Sequence, residues 1–143
     1  MTIWELISDL SESILYHYRE KLRGLIFLEG NPNLMLIILE EVDTISFLAR
    51  GQIFNYFYKS LRKTEKGKKW VLEKRSDPSI RGIIISPKEL EFNLPIVVII
   101  SSLGHVLYDP DNIFIQSNKK IVNYMGKKLI DLKNVKRGEV VDI

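Results

Sequence analysis

The chain contains 143 residues, no cysteine and a formal net charge of +3 at pH 7. This length suits one domain with a sizeable core, so we predict a single domain over residues 1–143. The lack of cysteine excludes disulfides and thiolate chemistry, and two histidines, His17 and His105, are too few for a histidine-rich zinc site. We recognise no leader sequence and no membrane-length apolar run, and therefore expect a cytoplasmic protein without a membrane partner.

The N-terminal third predicts a helix followed by a β-hairpin. Thr2 and Glu5 have the spacing of a capping box, and the following apolar residues recur with helical periodicity until about Lys21. Two apolar runs, at 22–28 and 34–39, flank a Gly-Asn-Pro-Asn sequence that is typical of a turn. The second run is apolar throughout, which predicts a strand that is covered on both faces.

A second amphipathic helix is predicted over residues 44–62, with Asp43 as its N-cap. Gly51 lies inside this helix and marks a point where the helix could kink or break. The charged sequence over 64–69 predicts a solvated loop, and the apolar residues 70–72 predict a brief return to the core.

The second half of the chain predicts shorter elements separated by turns. We expect a strand over 81–85, a helical turn over 87–90, a helix over 94–103 and a strand over 105–108. The composition of the helix over 94–103 is strand-like, but Asn93 as its N-cap and Gly104 at its end favour a helix.

The C-terminal residues predict a final helix and a hairpin. Asp111 is the expected cap of a helix that ends at Gly126, and residues 129–132 and 139–141 are expected to pair as a short hairpin. Together the elements predict an α+β fold, in which a small mixed β-sheet is packed by helices and followed by a C-terminal helix and a short terminal hairpin.

The turns of the second half follow one another in a distinctive order. An Ile-Ile-Ile strand leads into Ser86-Pro87, Glu89 follows on a short helix, and a Leu-Tyr-Asp sequence ends the next strand at Asp109. A long helix then closes at Gly126. This order resembles that of the archaeal minimal nucleotidyltransferases, the small DNA-polymerase-β-like domains. The resemblance implies a nucleotidyltransferase-like fold and covers about the last sixty residues well, but the first forty only in outline.

The first half departs from the chemistry that this resemblance implies. The family binds nucleotide phosphates with a Gly-Ser turn and holds two Mg²⁺ ions with an Asp-x-Asp pair on a strand. Here Glu29-Gly30 replaces the Gly-Ser turn, and Asn33 and Met35 stand at the metal-binding positions. A neutral amide and a thioether are poor ligands for Mg²⁺. We therefore expect an inactive member of the family, with no catalytic residues, metal or cofactor.

The positive charge is concentrated in one short segment, residues 59–75, whereas residues 1–58 are net acidic. Its cations are Lys59, Arg62, Lys63, Lys66, Lys68, Lys69, Lys74 and Arg75. Such a segment can bind phosphates or an acidic protein surface. We therefore predict a binding protein, of archaeal or archaeal-virus type, that regulates or inhibits a nucleic-acid-processing machine such as a polymerase. Its expected partner is a nucleic acid or the machine itself, with Tyr56 and Tyr58 as candidate contacts to bases.

Two alternatives remain on the sequence alone. The chain could be an active Mg²⁺-dependent nucleotidyltransferase whose ligands are displaced to Glu29, Glu40 or Asp43. It could also be an antitoxin-like protein-interaction module, whose apolar helices bury against another chain. The sequence does not determine the oligomeric state.

Overall fold

A computed structural model describes residues 1–114, which form four α-helices and a four-stranded mixed β-sheet. The helices are α1 (Ile3–Tyr18), α2 (Phe47–Lys63), α3 (Glu65–Lys74) and α4 (Pro95–Leu103), and the strands are β1 (Leu22–Leu28), β2 (Asn33–Leu39), β3 (Ile80–Ile85) and β4 (His105–Tyr108). The predicted α+β class is confirmed. The predicted helix that ends at Gly126 and the hairpin of residues 129–132 and 139–141 lie outside the described residues.

The sheet has the strand order β3-β2-β1-β4. Strand β1 pairs antiparallel with both β2 and β4, whereas β2 and β3 are parallel. A parallel pair requires a long crossover connection, and here α2 and α3 supply it. Within residues 1–114, no helix is long and apolar enough to cross a membrane.

Each face of the sheet has its own apolar core. Phe27, Met35 and neighbouring strand residues pack against α1 and α2. Alternate residues of the same strands, such as Ile26 and Leu36, pack on the other face against α4 and Phe114. Since successive side chains of a strand point to opposite faces, the uninterrupted apolar run in β2 follows from this double cover, as the sequence predicted.

The helix boundaries correct several predicted caps. Ser46, not Asp43, caps α2, because its hydroxyl accepts from the Ala49 amide over 3.2 Å. The helix runs continuously through Gly51 without a break. Thr2 occupies the N-cap position of α1, but its side chain makes no capping hydrogen bond.

Two further predictions in the second half also need correction. Helix α4 forms over the predicted residues, but Asn93 takes a left-handed conformation and Leu94 occupies the N-cap position. After β4, Asp109 rather than Asp111 accepts from backbone amides, those of Ile113 and Phe114. The carboxylate of Asp111 instead pairs with an arginine on β1.

The largest correction concerns residues 64–69, which do not form a loop. Helix α3 begins at Glu65, and only Thr64 separates it from the end of α2 at Lys63. Residues 70–72 return to the core only in part: Trp70 packs against the core, whereas the Leu72 side chain is 80% exposed. The basic segment is therefore built on two consecutive helices, which fixes the relative placement of its cations.

Candidate functional site: a basic groove between two helices

Asn33 serves the backbone at the point where the resemblance places a metal ligand. Its Oδ1 accepts from the Gly30 amide over 3.0 Å, and its Nδ2 donates to the Ser79 carbonyl over 2.8 Å. The side chain therefore ties the hairpin turn to the start of β3. An amide whose oxygen and nitrogen both hold neighbouring backbone is part of the scaffold.

Met35 lies on the same face of β2 as Asn33, as the alternation of strand residues requires. Its side chain is fully buried in the core beneath α1 and α2. A carboxylate at position 35 would thus point into packed hydrocarbon, whereas the half-buried position 33 is occupied by backbone hydrogen bonds. Residues 1–114 contain no group of three or more His, Asp or Glu side chains that could hold a metal ion.

The acidic residues that could have replaced those ligands lie apart. Glu29 follows β1 and Glu40 follows β2, and because these strands are antiparallel, the two residues lie at opposite ends of the hairpin, roughly 20 Å apart. Glu40 forms an ion pair with Arg23, which also contacts Asp111 over 2.9 Å. Asp43 lies exposed in the turn before α2. Glu29 and Glu40 therefore cannot share a metal ion.

The junction of α2 and α3 is a single residue, Thr64, which ends one helix and starts the next. Its hydroxyl donates to the Leu61 carbonyl over 2.6 Å and accepts from the Gly67 amide over 3.1 Å. One side chain therefore satisfies a carbonyl at the end of α2 and an amide at the start of α3. The result is a sharp and well-defined turn between the two helices.

Gly67 permits the close approach of the two helices at this turn. A Cβ atom at this position would lie 2.1 Å from the Leu61 carbonyl oxygen and 2.9 Å from the Cα of Arg62. Both neighbours are backbone atoms, which cannot move aside as a side chain can. A side chain at position 67 would therefore force α2 and α3 apart.

The cations of the basic segment divide into engaged and free groups. Arg62 pairs with Asp77 over 3.0 Å, and Lys66 with Asp9 over 3.2 Å. Lys69 lies 4.0 Å from Glu73, and the ammonium of Lys74 lies over the ring of Trp70. The remaining four cations form no ion pair within residues 1–114: Lys59, Lys63, Lys68 and Arg75.

Three of these four free cations line one open groove of about 660 Å³ between α2 and α3. Its lining residues are Lys59, Arg62, Lys63, Lys68, Val71 and Leu72. We call this feature the basic groove. On each wall the lining residues recur at spacings of three and four, so each helix turns one continuous face toward the groove. The structure thus brings four of the predicted binding residues together, while Lys66, Lys69, Lys74 and Arg75 lie outside the lining.

The two candidate base-stacking tyrosines differ in role. Tyr58 is partly buried, and its hydroxyl donates to the Pro78 carbonyl over 2.6 Å, so it holds the approach to β3. Tyr56 is 62% exposed but does not line the basic groove. Only Tyr56 is therefore free for an external contact.

A buried ion pair between Arg50 and Glu89 was not foreseen from the sequence. The Arg50 side chain is 4% exposed, and its Nη1 donates to both carboxylate oxygens of Glu89 over 2.9 and 3.0 Å. The same Nη1 donates to the Ile84 carbonyl over 3.2 Å, and the Arg50 Nε donates to the Ile45 carbonyl over 2.9 Å. Arg50 thus joins α2 to the end of β3 and to the turn that follows it.

The partners of Glu89 also set its ionisation. Burial by itself would raise the pKa of this carboxyl, but the Ser86 amide, which donates over 2.8 Å, and Arg50 outweigh it and hold the pKa below its ordinary value. The Glu89 amide in turn donates to the Ser86 hydroxyl over 3.3 Å. This reciprocal pair is a capping box, whose Ser-x-x-Glu spacing is readable in the sequence.

Comparison with known proteins adds no family assignment. The sequence matches no protein-family model and no curated protein. The resemblance to minimal nucleotidyltransferases therefore rests on the order of motifs in the second half of the chain.

Proposed function

We propose that this chain is a catalytically inactive binding protein on a nucleotidyltransferase-like scaffold, and that it regulates or inhibits a nucleic-acid-processing machine such as a polymerase. The observation that carries the proposal is the basic groove, which is lined by Lys59, Lys63 and Lys68, three cations that form no ion pair within residues 1–114. The proposed loss of catalysis is supported by Asn33 and Met35, which hold backbone and fill the core at the positions where the family binds metal.

The charge of the groove supports an anionic partner. Each free lysine attracts anions without first giving up an internal ion pair, and three such lysines in one groove sum to a local positive field. These cations are exposed, so dissolved salt screens their attraction for an anionic partner, with a screening length of about 10 Å at ordinary ionic strength. Binding through the basic groove should therefore weaken steadily as salt is added.

The proposal can be tested by adding the purified chain to promoter-dependent transcription by archaeal RNA polymerase and to primer extension by archaeal DNA polymerase. The wild-type chain should inhibit at least one of these reactions. The double variant Lys63→Gln/Lys68→Gln, which removes one free cation from each wall, should require about tenfold more protein for the same inhibition.

A matched control is Arg81→Gln/Lys88→Gln, which removes the same charge from two exposed positions outside the basic groove. Arg81 alternates with Ile80 and Ile84, which face α2, and therefore points away from that layer. This control should inhibit like the wild type. Equal loss of inhibition in both double variants would contradict the proposal, as would inhibition of neither reaction by the wild type.

A separate assay tests the loss of catalysis. If the wild type transfers a labelled nucleotide in the presence of Mg²⁺ and Glu40→Ala does not, the chain is an enzyme and the proposal is wrong.

A second candidate function has one observation in its favour. Helix α4 exposes Ile96, Ile99 and Leu103, which recur at helical spacing on its outer side. An exposed apolar stripe of this kind is typical of an interaction module that buries a helix against another chain. A strictly monomeric mass in light scattering over a wide concentration range would count against self-association through this stripe.

A further inference from the structure

We propose that the basic groove receives an acidic amphipathic helix of a protein partner, rather than a nucleic acid. This inference rests on the proposed function and specifies which part of the machine the chain contacts. It depends on the apolar part of the groove, which a purely electrostatic site does not need.

The apolar part of the groove belongs to α3. Lys68, Val71 and Leu72 stand at positions i, i+3 and i+4 and therefore share one face of this helix. Leu72 is 80% exposed and Val71 is half-buried, so hydrocarbon lies directly beside the Lys68 ammonium. A lone exposed leucine is unremarkable on a protein surface, but here it lies on the wall of a concave, cationic site.

The opposite wall is built in the same pattern. Lys59, Arg62 and Lys63 stand at positions i, i+3 and i+4 of α2. Lysine side chains cover apolar surface with their methylene stems and hold the ammonium in water at the rim. The groove therefore combines exposed hydrocarbon on its α3 wall with positive charge on both walls.

An amphipathic helix with acidic residues matches this arrangement. Such a helix lays its apolar residues, spaced three and four apart, into a groove and keeps its polar residues at the edge. Leucines of the partner would contact Val71, Leu72 and the lysine stems. Its glutamates would meet Lys59, Lys63 and Lys68, the groove cations that form no ion pair within residues 1–114.

The lining fits a nucleic acid less well. Sites for single-stranded nucleic acid combine cations with aromatic side chains on which bases stack. None of the described residues that line the basic groove is aromatic, and Tyr56 lies outside it. Duplex binding would use the lysines for phosphate contacts but would leave Leu72 without a role.

The inference is tested with defined probes and the full chain in fluorescence anisotropy. One probe is a labelled peptide of about 18 residues, five helical turns, with leucines along one face and glutamates on the rest. The second is a scrambled peptide of identical composition, and the third is a labelled single-stranded DNA oligonucleotide. We expect the ordered peptide to bind more tightly than the other two probes.

Two variants separate the apolar and electrostatic contributions. Leu72→Gln should weaken binding of the ordered peptide about tenfold, since it removes the exposed hydrocarbon and leaves every charge in place. Lys63→Gln/Lys68→Gln should weaken it by a similar factor and also lower its dependence on salt. Thermal unfolding of both variants checks that their fold is intact.

The possible outcomes distinguish this inference from the proposed function. Equal binding of ordered and scrambled peptides, or unchanged binding by Leu72→Gln, would overturn the inference. Tight binding of the oligonucleotide that the lysine variant weakens and Leu72→Gln does not would favour a nucleic-acid partner and leave the proposed function standing. Binding of all three probes that the lysine variant does not affect would overturn both.

Discussion

Arg50 and the lysines of the basic groove carry the same charge in opposite surroundings. Arg50 is buried and gives its hydrogen bonds to Glu89 and to two backbone carbonyls. Lys59, Lys63 and Lys68 are exposed and form no ion pair within residues 1–114. A buried cation whose hydrogen bonds all go to groups within the fold stabilises the folded state, whereas an exposed cation without such partners can bind an external anion. The variants below test this division.

Removal of Arg50 should have the largest effect. Arg50→Leu leaves the carboxylate of Glu89 buried without its partner, which should lower the free energy of unfolding by about 3–5 kcal/mol. The double variant Arg50→Leu/Glu89→Leu removes the stranded charge and should recover part of this loss. Urea unfolding of both proteins measures the difference. The same substitution at Arg62, which is exposed in the same helix, is the control and should cost less than about 1 kcal/mol.

Gly67→Ala tests whether the groove depends on the close approach of its two walls. The added methyl group would collide with the backbone at the end of α2, so we expect a loss of about 1–3 kcal/mol together with weaker binding in the groove. Gly51→Ala is the matched control, because a Cβ atom there meets nothing within 4 Å. In the middle of α2 it should stabilise the protein by up to about 1 kcal/mol. Changes of the same sign in the two variants would contradict this explanation.

Acid should weaken the Arg50–Glu89 pair without a mutation. The pKa of Glu89 is lower in the folded protein than its ordinary value of about 4.3. The unfolded chain therefore takes up the proton first, and the stabilisation, complete above that value, is lost as pH falls toward the folded pKa. Urea titrations between neutral pH and acid should show the advantage of the wild type over Glu89→Gln shrinking as pH falls. A constant difference at all pH values would contradict the assignment.

The groove lysines should matter least for stability. Lys63→Gln/Lys68→Gln should change the free energy of unfolding by no more than about 0.5 kcal/mol, because both side chains are exposed and form no ion pair with any residue that the structure describes. Paired with the loss of binding expected above, this result would separate the two kinds of cation. A cost above about 1 kcal/mol would mean that these lysines have a structural role.

Much of the fold was readable because local patterns and packing agree. The double-faced apolar run of β2, the hairpin turn and the helix at 95–103 were all predicted, the last against its strand-like composition. Helix α3 was not predicted, because the glycine and the charged residues over 64–69 favoured a loop. Thr64 is a typical N-cap residue and stands directly before the helix, but this signal was given too little weight. Gly67 is required because α2 and α3 approach closely there, and this approach depends on tertiary structure that the local sequence does not reveal.

For the candidate site, the sequence predicted which residues are basic but not how they are arranged in space. The basic residues were predicted to bind a partner, but which of them line one groove depends on α3 being a helix. It also depends on ion pairs with acidic residues outside the basic segment, such as Asp9 and Asp77. The Arg50–Glu89 pair joins residues 39 positions apart, and no local pattern indicates it. Asn33 was expected to be a poor metal ligand, but no local pattern indicates its hydrogen bonds to the backbone of residues 30 and 79.

The single residue Thr64 between α2 and α3 makes the basic groove structurally independent of the β-sheet. Both of its walls come from a single short stretch of chain, 59–72, and strands β1–β4 contribute none of the described lining residues. Its rim residues can therefore be exchanged during evolution without disturbing the strands, so the same framework could follow a changing partner. A stretch this compact is also a natural unit for transplantation onto another helical hairpin.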